Sequence, residues 1–222
     1  MAVIFDMDGL MLDTETLARE AWYDAMRRWG YALTDDVYLR VLGTTAERTR
    51  EIFREAFGPD IPIEAIYDQK QRYVDQAIES GRLTLKPGLI ELLDWLEAMR
   101  IPKAVASSTA RAMVLKKLNR VNLAGRFGAI VGGDEVTHGK PAPDIFLEAA
   151  RRLDAPPRCC IALEDSENGV RAAHAAGMRV IMVPDLKAPD DSVRALANWV
   201  VPSLYVAHQV LREVWHALMT TA

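Results

Sequence analysis

Near its start the chain reads Ala2-Val3-Ile4-Phe5-Asp6-Met7-Asp8-Gly9, and the type of fold follows from these eight residues. Four apolar residues run straight into two aspartates, without the alternation of apolar and polar side chains that marks a half-buried strand. Such a run is typical of a parallel strand that is covered on both faces. Because ligands bind beyond the carboxyl ends of parallel strands, the residues that follow each apolar run are the candidates for chemistry.

From Leu83 onward, helical and strand patterns alternate along the chain. This alternation predicts a parallel sheet with helices on both faces. The predicted strands cover residues 2–5, 103–107, 129–131, 159–163, 179–183 and 199–201, and the predicted helices cover residues 88–99, 110–121, 143–153, 168–176, 192–197 and 204–218.

Between the first strand and Leu83 there are three helical patterns, at residues 15–29, 44–57 and 63–80, and no convincing strand. Glycines close them, as expected at helix C-termini. We therefore predict an α/β protein, with a Rossmann-like parallel sheet and an inserted all-helical domain. The predicted boundaries place residues 1–14 and 83–222 in the core and residues 15–82 in the helical insert.

Composition excludes several classes of function. The 222 residues carry 27 basic and 31 acidic side chains, a formal net charge of −4, without the basic clusters that bind nucleic acid. No apolar stretch approaches the roughly 20 residues that a membrane helix needs. No secretion signal precedes the first strand, so we expect a cytoplasmic protein. Cys159 and Cys160 are expected to lie buried in a strand, and no disulfide framework is available.

Polar residues that follow the predicted strands should meet at one edge of the sheet. Clustered carboxylates repel one another unless a divalent cation neutralises them, and hard oxygen ligands suit Mg²⁺. A phosphate could bind beside that cation, on a hydroxyl, on amides that open a helix, and on a lysine. The carboxylates are Asp6, Asp8, Glu164 and Asp165. The candidates for binding phosphate are Ser107, Ser108 and Thr109, together with the lysine, Lys140.

Four segments in this order resemble the motifs of the haloacid dehalogenase (HAD) superfamily, and they span nearly the whole chain. The helical insert after the first motif resembles the cap of the phosphatase and β-phosphoglucomutase-like branch. The motifs are Asp6-Met7-Asp8-Gly9 with Asp13-Thr14-Glu15, then Ser107, then Lys140-Pro141-Ala142-Pro143-Asp144, and finally Glu164-Asp165-Ser166.

The resemblance implies a role for each of these residues. Asp6 would be the nucleophile that forms an aspartyl-phosphate, and Asp8 would be the general acid and then the general base. Ser107 and Lys140 would bind the transferring phosphoryl group. Mg²⁺ would be held by Asp6, Asp165 and the backbone carbonyl of Asp8, with Glu164 acting directly or through water.

The presence of Asp8 favours phosphoryl transfer over dehalogenation, which has no leaving alcohol to protonate. A β-phosphoglucomutase-like mutase is the main alternative. Relatives of that kind carry a histidine, an arginine and a lysine where motif alignment gives Ala18, Ala46 and Gln69 here, although Arg48 or Lys70 could substitute. A phosphatase is therefore the preferred interpretation.

A receiver-like signalling module also uses an aspartate phosphoacceptor beside Mg²⁺, but Asp8 and the helical insert argue against it. The expected substrate is a small phosphorylated metabolite such as a sugar phosphate. Cap residues Gly43, Thr44 and Thr45 are candidates for binding it. We expect a monomer or weak homodimer, with no nucleic-acid or membrane partner.

Overall fold

The computed structural model describes residues 1–42, 44–185 and 188–220. The chain divides into two compact units, which are Met1–Asp13 with Thr84–Ala222, and Thr14–Leu83. The first unit contains the sheet and the second is helical. Thr14 and Leu83 thus lie in the helical unit, each one residue from the boundary predicted from sequence.

A six-stranded parallel sheet forms the centre of the first unit, with strand order β3-β2-β1-β4-β5-β6. The predicted α/β class with a parallel sheet is confirmed. The strands are β1 (Ala2–Phe5), β2 (Lys103–Ala106), β3 (Ala129–Val131), β4 (Cys160–Glu164), β5 (Arg179–Met182) and β6 (Trp199–Val200).

In the part of the first unit that the structure describes, six α-helices connect these strands or follow them. Ala2 and Ile4 of β1 share one apolar cluster with Phe146 and Val170 from two of the helices, so this face of the sheet is sealed from water. The helices are α5 (Leu89–Ala98), α6 (Arg111–Arg120), α7 (Asp144–Arg152), α8 (Glu167–Ala175), α9 (Asp191–Arg194) and α10 (Leu204–Thr220).

The two central strands, β1 and β4, carry the predicted nucleophile and acidic pair to the same level. Phe5 pairs with Leu163, and the amide of Asp6 donates to the carbonyl of Leu163 at 3.0 Å. Asp6, the residue after β1, therefore lies beside Glu164, the last residue of β4. Every residue of both strands is buried, which explains the continuous apolar sequences of residues 2–5 and 160–163.

The helical unit has its own aromatic core. Trp22 packs against Phe53 with ring centroids 5.0 Å apart and against Tyr67 at 4.8 Å. Its helices are α1 (Thr14–Arg28), α2 (Asp35–Val41), α3 (Ala46–Phe57) and α4 (Ile63–Glu79).

Helix α2 is absent from the sequence prediction. It has seven residues and buries only Tyr38 and Val41, a spacing of three that is too short to establish a helical period.

Three further expectations need correction or comment. Cys160 is buried in β4, but Cys159 is exposed in a short 3₁₀ turn before it, so the expectation of a buried strand position is wrong for Cys159. Helix α6 begins at Arg111, so Ser108 and Thr109 precede the helix and do not open it. Among the described residues, no helix combines the length and the hydropathy needed to cross a membrane.

The Phe146 side chain should contribute strongly to the stability of the sheet unit. It is 0% exposed, and Phe146→Ala should lower the free energy of unfolding by about 3–5 kcal/mol because it leaves a cavity. The neighbouring Leu147 is 40% exposed, so Leu147→Ala should change stability by less than about 0.5 kcal/mol. Urea unfolding followed by circular dichroism measures both; equal midpoints would contradict the packing described.

Candidate active site

Asp6 and Glu164 share one buried ammonium group. Lys140 Nζ donates to Asp6 Oδ1 and to Glu164 Oε1, each at 2.5 Å, and to the carbonyl of Ala106 at 3.1 Å. The three charged side chains are 10%, 0% and 5% exposed for Asp6, Glu164 and Lys140. Lys140 is therefore positioned by both central strands and by β2, and it is sealed in the interior.

The start of α8 holds the second oxygen of Glu164. Glu164 Oε2 accepts from the amides of Asp165 and Ser166 at 3.1 and 3.2 Å and from the Ser166 hydroxyl at 3.0 Å. Ser166 is also the N-cap of α8, because its hydroxyl oxygen accepts from the Gly169 amide. A Cβ on Gly169 would overlap the Glu164 carboxylate, so only glycine fits there.

Burial and neighbouring charge move the pKa values of this group. Burial raises the pKa of Asp6 to about 7, with Glu164 and Asp8 adding to the effect, although Lys140 opposes it. Burial alone would lower the pKa of Lys140, but the charges of Asp6 and Glu164 outweigh it and raise that pKa. Lys140 therefore keeps its positive charge. One ammonium is not enough to neutralise the two carboxylates that it contacts.

The acidic side chains also fit a divalent cation. Oxygens of Asp6, Glu164 and Asp165 lie within 4.8 Å of one another. Three carboxylates beside one ammonium leave an excess of two negative charges, which is the charge that one divalent cation balances. Carboxylate oxygens are the ligands that Mg²⁺ and Ca²⁺ prefer, so the donor set suits a hard cation.

Asp8 makes a separate set of contacts, two residues beyond Asp6. Its Oδ1 accepts from Lys117 Nζ at 2.6 Å, and its Oδ2 accepts from Thr109 Oγ1 at 2.8 Å and from Ser107 Oγ at 3.4 Å. Lys117 is not among the site residues predicted from the sequence. On α6 it occupies an inward position beside the buried Val114 and Leu118, and a lysine inside an apolar helical face is the signal that could have revealed it.

The predicted phosphate-binding residues lie in the turn between β2 and α6. Ser107 is 1% exposed and its hydroxyl oxygen accepts from the Thr109 amide at 3.1 Å, while Ser108 is exposed. Gly133 packs so closely on the Ser108 carbonyl that a Cβ there would clash. The turn is thus fixed by contacts on both sides, although its residues precede the helix.

Gly9 forms the turn after β1, with φ +83°, and donates its amide to the Leu12 carbonyl at 2.9 Å. A Cβ at Gly9 would clash with Asp165 Oδ2. Glycine here allows the first and last motifs to approach each other.

A second lysine missed by the sequence analysis lies near this turn. Lys86 Nζ donates to Asp185 Oδ1 at 2.6 Å and lies 3.6 Å from Asp13 Oδ1. It partly compensates for two further carboxylates at the same edge of the sheet.

The candidate cap residues make contacts within the helical unit. Thr44 Oγ1 donates to the Val41 carbonyl at 2.8 Å and lies 2.9 Å from Thr49 Oγ1. Thr45 is the N-cap of α3 and accepts from the Arg48 amide. Gly43 lies outside the described residues. Substrate binding by these three residues stays a prediction.

Residues 3–183 match the family model described as haloacid dehalogenase-like hydrolase. The chain belongs to this family. The predicted superfamily, and the fold of its phosphatase and β-phosphoglucomutase-like branch, are confirmed.

Relatives of this HAD-family chain include protein CbbY from Rhodobacter capsulatus, 38% identical over 93% of this chain and 94% of the relative. A second relative, phosphorylated carbohydrates phosphatase from Thermotoga maritima, is 34% identical over 81% of this chain and 83% of the relative. A crystal structure of a CbbY mutant from Rhodobacter sphaeroides, in complex with xylulose-(1,5)bisphosphate, superposes with a TM-score of 0.74 at 29% sequence identity. The match covers 92% of this chain and 94% of that chain. The prediction of a HAD-type phosphoric monoester hydrolase is confirmed at this level.

Gly169 provides a test of the Glu164 position in this HAD hydrolase. Gly169→Ala should lower the free energy of unfolding by about 1–3 kcal/mol, because Glu164 must leave its buried donors to make room. Gly125→Ala is the matched control, since a Cβ there meets nothing within 4 Å, and it should change stability by less than about 0.5 kcal/mol. Thermal and urea unfolding measure both; equal stability of the two variants would show that Glu164 is not confined.

Proposed function

We propose that this hydrolase is a Mg²⁺-dependent phosphatase that removes phosphate from a small phosphorylated sugar through an aspartyl-phosphate at Asp6. The observation that carries the proposal is the pairing of Asp6 and Asp8 with different lysines at one edge of the sheet. Lys140 contacts Asp6, whereas Lys117 contacts Asp8. Two neighbouring carboxylates in different surroundings are suited to different roles in one reaction.

Asp6 is the proposed nucleophile. Its carboxylate oxygen attacks phosphorus, the bond from phosphorus to the sugar oxygen breaks, and the aspartyl-phosphate forms. Its fixed position supports this role, since the Asp6 amide is bonded to β4 and its side chain to Lys140. Lys140, with Ser107 from the turn after β2, would bind the phosphoryl oxygens.

Asp8 is the proposed acid and base. In the first step it gives a proton to the departing sugar oxygen, and in the second it takes a proton from the water that attacks the aspartyl-phosphate. Phosphate leaves and Asp6 regains its carboxylate. The side chain of Asp8 is 26% exposed against 10% for Asp6, which supports contact with the leaving alcohol and with water.

The proposed residues for Mg²⁺ are Asp6 and Asp165, with the backbone carbonyl of Asp8, and with Glu164 acting directly or through water. When bound, the cation offsets negative charge on the transferring phosphoryl group. The close carboxylates of Asp6, Glu164 and Asp165 support this choice.

A phosphorylated sugar is the proposed substrate class because two relatives point to it. One is named as a phosphatase of phosphorylated carbohydrates, and the other was crystallised with a sugar bisphosphate. A mutase must bind a bisphosphate intermediate, and motif alignment gives Ala18, Ala46 and Gln69 at the positions of the histidine, arginine and lysine of the β-phosphoglucomutase-like relatives. The absence of these three groups from those positions supports hydrolysis over mutase activity.

The proposal is tested by phosphate release from a panel of pentose and hexose mono- and bisphosphates in the presence of Mg²⁺. The wild-type protein should turn over at least one of them repeatedly. Asp6→Asn should retain less than about 1% of that rate, because the amide is not a nucleophile while the volume is kept. Mass spectrometry should confirm that the asparagine has not deamidated.

Other outcomes would contradict the proposal. Conversion of β-glucose 1-phosphate to glucose 6-phosphate, with a trace of glucose 1,6-bisphosphate and no matching phosphate release, would identify a mutase. A single stoichiometric phosphorylation without turnover would identify a phosphoacceptor module.

Metal removal should stop the reaction. EDTA should lower phosphate release at least about 100-fold, because three clustered carboxylates, two of them buried, then face the anionic substrate with one lysine. Readdition of Mg²⁺ should restore the rate. Full activity in EDTA, with residual metal excluded by elemental analysis, would contradict the proposed role of these carboxylates.

A further inference from the structure

Lys117 is a buried lysine that none of the four motifs includes. It is 9% exposed and extends from α6, ten residues after Ser107, to reach Asp8 Oδ1 at 2.6 Å. Lysine is almost never this deeply buried unless it is paired. Burial of its charge is costly, so the contact with Asp8 calls for an explanation beyond packing.

The contacts around Asp8 fix the direction of its carboxylate. Lys117 binds Oδ1, and Thr109 and Ser107 place their hydroxyls near Oδ2. Oδ1 can accept from the ammonium whether or not Oδ2 carries a proton, and the Thr109 hydroxyl can either donate to Oδ2 or accept from it. The same orientation is therefore compatible with the acid form and with the base form of Asp8.

We infer that Lys117 is a positioning residue for Asp8, which it holds in place for proton transfer to the leaving oxygen and from water. The inference rests on the proposed function and deepens it. Lys117 acts through Asp8 and does not bind the phosphoryl group. Because a displacement of about 1 Å can cost about 100-fold in rate, losing this contact should slow the proton-transfer steps selectively.

Acetyl phosphate separates these steps. When Asp6 attacks it, the bond from phosphorus to the acetate oxygen breaks and acetate leaves with the electron pair, so no proton from Asp8 is needed. A sugar phosphate requires protonation of its leaving oxygen, and hydrolysis of the aspartyl-phosphate requires a base. Loss of a residue that acts only through Asp8 should therefore slow transfer from a sugar phosphate and hydrolysis of the aspartyl-phosphate. It should not slow the attack of Asp6 on acetyl phosphate.

The test compares Lys117→Met with Lys116→Met, which removes the same charge from an exposed position next to it on α6. Lys117→Met should lower kcat for a sugar phosphate by about 10–100-fold, with KM changed by less than about threefold. Its rate of labelling by [³²P]acetyl phosphate should stay within about threefold of wild type, and the labelled protein should accumulate. Lys116→Met should match wild type in all three measurements.

Lys117→Gln gives a second variant should Lys117→Met fold poorly, as judged by thermal unfolding. It removes the ammonium that contacts Asp8 but keeps a polar side chain, and it should show the same selective pattern with a smaller loss of kcat. Lys117→Arg should retain more of kcat than Lys117→Met because it keeps a charged donor.

The inference is overturned if Lys117→Met slows labelling as much as turnover, which would indicate direct phosphate binding or a general structural defect. It is also overturned if turnover is unchanged. Absence of both labelling and turnover in the wild-type protein would instead refute the proposed function, and with it the inference.

Discussion

The buried ammonium of Lys140 between Asp6 and Glu164 is the interaction on which the site depends. Two carboxylates from the central strands β1 and β4 converge on one cation in the interior, with negative charge left over. Removing one member of such a buried ion-pair group leaves the remaining charge buried without a counter-charge, which is strongly destabilising. The amides of Asp165 and Ser166, just before α8, add donors to Glu164, whereas Asp6 can still accept further positive charge.

Two glycines make this concentration of charge geometrically possible. Gly9 turns the chain after β1 in a conformation with positive φ and leaves room for Asp165. Gly169 leaves room for the carboxylate of Glu164 at the first turn of α8. At both places the glycine backbone and a carboxylate are so close that a methyl group on the glycine would displace the acidic side chain.

The sequence was sufficient for the sheet and for the grouping of the motifs. Buried parallel strands are continuous apolar runs, so the place where Ala2–Phe5 gives way to Asp6 marks the sheet edge without knowledge of tertiary contacts. Helix α2 escaped prediction because its two buried residues define no period. Lys117 and Lys86 were not predicted because their contacts are with Asp8 and Asp185, more than 90 residues away in the chain. The local pattern can mark Lys117 as a lysine on an apolar helical face, but it does not identify the partner, whereas the strand ends are defined locally.

The pairing of Asp6 and Asp8 with separate lysines follows from where each lysine originates. Lys140 comes from the loop before α7 and meets Asp6 among the carboxylates of β4, whereas Lys117 comes from α6 and meets Asp8 among the hydroxyls that follow β2. Adjacent strands thus supply contrasting surroundings to two aspartates only two residues apart. A single acidic cluster would place both aspartates under the same cation and make them compete for it. By pairing Asp6 with Lys140 and Asp8 with Lys117, the fold gives one aspartate a buried environment beside Glu164 and the other a more exposed environment lined by hydroxyl groups.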